Sequence, residues 1–368
     1  MYQKVSKVEV YDVQNKVDGI ADSTLKLTQM GYVLVVLTTD QGLKGYGIIH
    51  NSSGADAIEV VVQTSIAPLI IGENPLSTEM LWTKMHVNLR GIGRKGLAYQ
   101  AISGVDIALW DLKGKILGLP VHRLLGSEKK NVPVYASGCW TSYSEETLLA
   151  EVDRYIKAGY TSMKMKVGVE GGRNYKEDLR RVRKVREFAG KDMTIFVDCN
   201  NVWDGSSAVR FADAVHELDI GFLEEPVIAD DLEGLHYVRM KGRIPVATGE
   251  HEYTKYGARD LILAKAVDVI QCNATRVGGI TEQLKVSAMA QAWNLLFAPH
   301  AADLVNRFVF SVSDTGLTVE RLLAYEDFIT KLFPNTPTPK NGFLEFREVP
   351  GLDLEPDMNF VRERSKKG

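Results

Sequence analysis

The chain has 368 residues, long enough for one large domain plus a smaller one. Its formal net charge of −3 gives no basic field to attract nucleic acid or anionic lipid, and its 45% hydrophobic content suits an ordinary soluble core. The opening "MYQKVSKVEV" has no signal-peptide core, and no run approaches the roughly 20 apolar residues of a membrane span, so a cytoplasmic protein is expected.

In chain order, "KVSKVEVYDV" and "YVLVVLTTDQGLKGYGII" predict an antiparallel meander with a hairpin signal at "DQG". "GLAYQAISGVDIALWDLKGKILG" follows as a helix, with Ala101, Val105, Ala108, Leu109 and Leu112 on one stripe and Gly118-Leu119-Pro120 as its stop. These elements predict an α+β domain over residues 1–128. The loop-rich segment 326–368 is expected to pack back on it.

From residue 129 to 325 the pattern changes to short apolar runs separated by amphipathic stretches. The runs are "VPVYASG", "TSMKMKVG", "TIFVDCN", "IGFLEEP", "IPVATGE", "VDVIQCN", "LLFAPH" and "LTVERL". Strands alternating with helices in this way read as an α/β fold, a (β/α) barrel rather than an open sheet. No GxGxxG follows any strand, which removes the case for a dinucleotide fold. Cys139, Cys199 and Cys272, odd in number and far apart, argue against a disulfide framework.

Polar residues end these strands, and in a parallel barrel strand ends converge on one mouth. They are Lys164 and Lys166, Asp198 and Asn200, Glu224, Glu250, Asn273, His300 and Glu320. Asp198, Glu224 and Glu250 crowded together would repel one another unless a cation binds between them. Oxygen donors without Cys or His select a hard divalent ion, Mg²⁺. The competing reading pairs these acids with the lysines, against the usual apolar filling of a barrel. Glu225 is expected to point away from Glu224 and serve structure.

In "TSMKMKVG" the two lysines share one face of a strand. A lysine beside another lysine and a metal ion has its charged form disfavoured, so its pKa is expected to fall toward neutrality and permit general-base work. Its neighbour stays charged to hold an anionic substrate group. His300 is a candidate second acid/base across from Lys166, His251 a rim residue, and Glu320 an acid or a hydrogen-bonding partner of a substrate oxygen. The segments 17–28 (with Asp22 and Lys26) and 49–56 form an expected polar lid that suits a hydroxyl-rich substrate. Trp140-Thr141 is expected near the pocket, and Arg90 or Arg94 is a candidate reader of a distal carboxylate.

The stretches "GVDIALWDLKGK" (104–115), "KMK", "VDCN", "LEEP", "GEHE", "TRVGGITE" (275–282) and the strand-ending "PH" resemble the mandelate racemase subgroup of the enolase superfamily over nearly the whole chain. The resemblance implies a modified (β/α)7β TIM-like barrel under an N-terminal α+β capping domain, with Mg²⁺ on Asp198, Glu224 and Glu250. It implies that Lys166 removes the proton α to a carboxylate, that Lys164 helps hold that carboxylate, and that Glu320 stabilises the enediolate oxygen. Substrate contacts are expected from Asn200, Asn273, His251, Trp140, Asp22 and Lys26.

One position departs from the family pattern. Members with a catalytic histidine usually carry Asp where this chain has Asn273, which can orient His300 but supplies no negative charge. His300 is then expected to be a weaker base, more useful as a proton donor or only as a binding group. Asp303 is a candidate to restore the charge. The expected reaction is dehydration of a sugar acid to a 2-keto-3-deoxy acid. A racemase, epimerase or cycloisomerase sharing the first half-reaction is the alternative, and a non-catalytic sugar-acid binder the more distant one. By the same resemblance a homo-oligomer, dimer or octamer, is expected.

Overall fold

The computed structural model describes residues 3–51 and 53–365. Strands β1 (Val5–Ala21), β2 (Lys26–Thr39) and β3 (Lys44–Asn51) form an antiparallel sheet in sequential order. Residues 30–37 of β2 are buried without interruption, because the two faces of the strand meet different cores. Val33, Val35 and Leu37 pack with the helices of the N-terminal region, while Met30, Tyr32, Leu34 and Val36 join the core that includes the barrel.

The helix Leu97–Leu117 is buried almost all round rather than on one stripe. Ala101, Val105, Ala108, Leu109 and Leu112 face the N-terminal core, and Ile107 and Trp110 face the barrel. It lies so close to β3 that a Cβ on Gly47 would sit 2.0 Å from the Gly104 carbonyl oxygen. Two buried aspartates fix it. Asp106 accepts the Thr281 N–H (3.0 Å) and hydroxyl (2.6 Å), and Asp111 accepts the Tyr46 N–H (2.9 Å) and the Leu352 N–H (2.7 Å). Gly118, at φ 68°, ends the helix as expected.

The second sheet is parallel and runs in sequential order. Its strands are β4 (Asn131–Gly138), β5 (Ser162–Lys166), β6 (Thr194–Asp198), β7 (Ile220–Glu224), β8 (Val246–Thr248), β9 (Val269–Ile270), β10 (Leu296–Phe297) and β11 (Val319–Leu322), the last paired back on β4. A parallel bridge between Phe297 and Gly316 joins the β10 and β11 ends, so the sheet curls into a barrel. The intervening helices include several begun by side-chain caps, among them Ser144, Asn174, Asp204 and Asp231. The fold is the α/β barrel with an N-terminal α+β domain that the sequence predicts.

The barrel floor is aromatic: Phe196 and Phe222 stack at 3.9 Å with Tyr135 edge-on to them. One inward step further along β6 and β7 stand Asp198 and Glu224, in register with Lys166 of β5. The C-terminal strand β12 (Phe343–Glu345) pairs antiparallel with β4, and the helix Met358–Arg364 lies against β1. Among the described residues no helix is long and apolar enough to cross a membrane. All three cysteines are buried and unpaired.

Candidate active site

Strand alternation breaks at the mouth. Cys139, Asn200, Asn201, Glu225, Ala301 and Ala302 all have positive φ, from 41° to 64°. Each such residue turns the chain so that consecutive side chains reach the same side. This is why Asn200 and Asn201 both line the cavity over the barrel, and why Glu225 corrects its expected orientation. Its side chain is buried beside the mouth, held by the Asn201 amide at 2.7 Å, with Oε1 3.5 Å from His251 Nε2 and otherwise unpartnered.

The cavity has a volume of about 680 Å³, and its walls include Asp22, Trp140, Lys166, Glu250, His300 and Glu320. Asn200 and His251 also line it. Lys164, Asp198 and Glu224 lie just beneath. Lys164 Nζ sits 2.6 Å from Glu224, 2.8 Å from Glu320 and 3.1 Å from Asp198, and Lys166 Nζ sits 2.5 Å from Asp198.

Burial alone would lower both lysines, but the surrounding carboxylates outweigh it. Glu224 and Glu320 hold Lys164, and Asp198 holds Lys166, above the ordinary lysine value. The expected fall toward neutrality applies to a lysine beside a bound metal ion, whose charge would offset these same acids. Burial, reinforced by Asp198, pushes Glu224 up. Burial also opposes ionisation of Glu320, yet Lys164 and His300 bring it down to about 2.

Glu250 receives Arg276 Nη1 at 3.0 Å and faces His300 Nε2 at 3.2 Å. These cationic and polar neighbours hold it well below the carboxylate range despite its burial. Burial lowers His300 to about 4, against the pull of Glu250 and Glu320, so its imidazole is neutral at pH 7. Asn273 stands behind His300 and outside the cavity lining, so it acts on the histidine rather than on substrate. Asp303 does not restore the missing charge, because Arg321 Nη1 holds it at 2.9 Å.

Lys26 also departs from expectation. It is exposed and outside the cavity lining, while its neighbours Leu25 and Leu27 line it, as alternation along the hairpin arm requires. Arg90 and Arg94 are absent from the lining, and Lys95 takes that place. Of the 49–56 segment, His50 enters the site, and Ser52 lies outside the described residues. His50, Tyr325, Arg276 and Lys95 were not singled out from sequence. His50 and Lys95 come from the N-terminal domain and Tyr325 from just beyond β11, with no local signature of a return to the mouth, whereas Arg276 lies on the short helix after β9, inside "TRVGGITE".

The donor set fits a hard divalent cation. Ligand atoms of Glu225, Glu250 and His251 fall within 4.8 Å of one another, and the buried Oδ1 atoms of Asn200 and Asn201 lack partners. Asp198 and Glu224 adjoin this group but direct oxygens at the lysines, and Glu224 also accepts from Gln271 Nε2 at 2.7 Å.

A capped parallel barrel whose mouth gathers carboxylates, two lysines and a neutral histidine defines an acid–base enzyme of the enolase superfamily. The comparisons agree. A family model described as "Enolase C-terminal domain-like" matches residues 147–360, and the "Mandelate racemase / muconate lactonizing enzyme, N-terminal domain" matches residues 6–126. The chain belongs to the mandelate racemase / muconate lactonizing enzyme family. It is 31% identical to the arabinonate dehydratase of Saccharolobus solfataricus, covering 92% of each chain. It is 33% identical to the L-talarate/galactarate dehydratase of Salmonella typhimurium, covering 89% of this chain and 80% of that one. It superposes at TM-score 0.91 and 27% identity on a racemase from Streptomyces coelicolor A3(2) solved with bound magnesium, covering 98% and 99% of the two chains.

Proposed function

We propose that the protein is a magnesium-dependent lyase that dehydrates a sugar acid to a 2-keto-3-deoxy acid. The observation that carries this reading is the state of His300. The Asn273 carboxamide oxygen accepts the Thr275 N–H at 2.8 Å, so its Nδ2 is left to face His300 Nδ1 at 3.3 Å as a donor. His300 Nδ1 is then an acceptor, and the neutral ring carries its proton on Nε2, the atom nearest Glu250 and Glu320. A neutral Nε2–H donates and cannot abstract. The site therefore holds one base and one acid rather than the two bases of a racemase.

Asp198, Glu224 and Glu250, with Glu225 beside them, would hold magnesium. When bound, it polarises the substrate carboxylate and stabilises negative charge developing on its oxygens. Lys166 takes the C2 proton at Nζ, in a wall position where Trp140 covers it at 5.6 Å from the ring centre. Lys164 and Glu320, paired at 2.8 Å, orient the carboxylate oxygens from beneath. His300 gives its Nε2 proton to the C3 hydroxyl, the C3–O bond breaks, and water leaves. The resulting enol gains a proton at C3 and gives up its O–H proton to become the 2-keto acid; the proton gained by Lys166 Nζ and the one lost by His300 Nε2 cancel, so the substrate loses only water.

Incubation with Mg²⁺ and a panel of sugar acids in D₂O tests this, with Lys166→Ala as control. A 2-keto-3-deoxy product from the wild type, and none from the variant, is expected. Deuterium at C2 without water loss would move the assignment to a racemase or epimerase. Product formation by Lys166→Ala near the wild-type rate would remove Lys166 as the base.

A further inference from the structure

We infer that the site selects sugar acids with a single carboxylate and discriminates against diacids; this deepens the dehydratase reading and rests on it. Among the described residues the cavity's lysine and arginine side chains are Lys95, Lys166 and Arg276. Each is already committed to a carboxylate of the protein. Lys166 meets Asp198, Arg276 Nη1 meets the Glu250 side chain and its carbonyl oxygen at 3.2 Å, and Lys95 Nζ meets Glu252 Oε2 at 3.3 Å.

These commitments differ between the two ends of the site. The reacting carboxylate goes to the inner end, where Lys164 and Lys166 lie. The outer rim is built from loops beyond the strand ends, and its charged members are Asp22, Asp230, Glu252 and Lys95. Three acids against one lysine leave that rim net negative, and Glu252 is itself buried while it neutralises the lysine. A second carboxylate arriving there would meet like charge and no uncommitted cation.

The uncharged groups point the same way. Both ring nitrogens of His50 and the Trp140 Nε1 are buried without hydrogen-bond partners, and all three belong to residues of the cavity wall. His50 packs 5.0 Å from Tyr325 and edge-on to His300 at 5.9 Å, beside the group that faces the leaving hydroxyl. Its burial, with Arg276 nearby, keeps it neutral, so it offers one donor and one acceptor. Such groups suit a row of hydroxyls, each of which both donates and accepts. A buried polar group made for a hydroxyl is costly to leave unpaired, and that makes the selection sharp.

The experiment uses matched pairs that differ only in oxidation of the terminal carbon: gluconate with glucarate, galactonate with galactarate, and arabinonate with arabinarate. The Mg²⁺-loaded wild type is assayed for 2-keto acid formation, and Lys166→Ala for binding by calorimetry. Within any pair that is used, the monoacid is expected to lead by at least about tenfold in kcat/KM and in Kd. A diacid that equals or exceeds its partner overturns the inference. If Lys166→Ala prefers monoacids but no keto acid forms on the wild type, the dehydratase reading fails and the selectivity stands. Binding of neither class overturns both. In a second arm, Glu252→Gln should free Lys95 and raise the diacid-to-monoacid ratio at least about tenfold. A ratio that does not move shows that the Lys95–Glu252 pair does not set the preference and overturns this account.

Discussion

Asn273 Nδ2 lies 3.3 Å from His300 Nδ1, and its own oxygen is already occupied by the Thr275 N–H at 2.8 Å. The amide therefore has one way to face the imidazole, as a donor, and the tautomer of His300 is set from behind. An aspartate at that position would impose the opposite arrangement. It accepts from Nδ1–H, leaves a lone pair on Nε2 and stabilises the imidazolium.

Asn273→Asp should therefore reverse the protonated nitrogen of His300 and raise its pKa from about 4. Aspartate caps a helix as well as asparagine does, so the short helix Ala274–Val277 should persist. Imidazole ¹⁵N shifts across a pH series read both effects directly. Water loss should slow by roughly 10²-fold as the acid is lost. An unchanged ¹⁵N pattern would show that Asn273 does not fix the tautomer.

Glu225→Gln replaces a buried carboxyl beside Glu250, a ligand once ionised by the cation, and should weaken Mg²⁺ binding by roughly 10–100-fold, read by calorimetric titration. Wild type at a Mg²⁺ concentration of about 100 times its Kd gains about 2.7 kcal/mol of stability, and a variant with 100-fold weaker affinity gains about 0.4 kcal/mol. Thermal unfolding with and without chelator shows the difference. Equal Kd values would return Glu225 to the structural role that sequence reading gave it.

Asp106 is pushed up to about 7 by burial, against the Thr281 hydrogen bonds that favour its charge. Between its ordinary value of 3.8 and about 7 the folded protein holds a proton that the unfolded chain has lost. Stability from this group is full below the lower value and is lost as pH rises through the upper one, by at most roughly 1.4 kcal/mol per pH unit. Asp106→Asn should flatten that slope. Urea unfolding at pH 5 and pH 8 provides the check, and equal slopes in both proteins would exclude Asp106 as the source.

Gly47→Ala should be among the most damaging single-methyl changes in the N-terminal region. The added carbon would lie 2.0 Å from the Gly104 carbonyl oxygen, and backbone on both sides prevents relief. A loss of about 3 kcal/mol is expected. Gly91→Ala meets nothing within 4 Å and should change stability by no more than about 0.5 kcal/mol. Thermal unfolding of the two variants separates the close approach from a general intolerance of alanine.

The barrel and much of its mouth were legible because strand periodicity carries local information. An acid or a lysine at the end of an apolar run announces itself in Asp198, Glu224, Glu250 and Lys166. What escaped has three physical causes. Glu225 was misdirected because alternation assumes extended backbone, and its φ of 43° breaks that rule. His50 and Tyr325 reach the mouth only through tertiary docking, His50 from β3 and Tyr325 from just beyond β11, and no local pattern encodes such a contact. The ion pairs of the lysines are the third case, because the sequence shows two neighbouring cations but not the distances to Glu224, Glu320 and Asp198. Lys26 is the reverse case, where alternation was available and turns the side chain outward.

The left-handed residues at the strand ends bear on any attempt to move this site to another scaffold. Residues such as Asn201 and Glu225, at φ 64° and 43°, occupy a conformation that costs on the order of 1–3 kcal/mol each and is imposed by the surrounding loops. Grafting "LEEP" or "VDCNN" onto a generic barrel would let those residues relax to extended geometry. One side chain of each adjacent pair, Glu224-Glu225 or Asn200-Asn201, would then swing into the helix layer. A working transplant has to carry the loops that enforce the turn, so the smallest portable unit of this chemistry is a strand end with its following loop and helix cap.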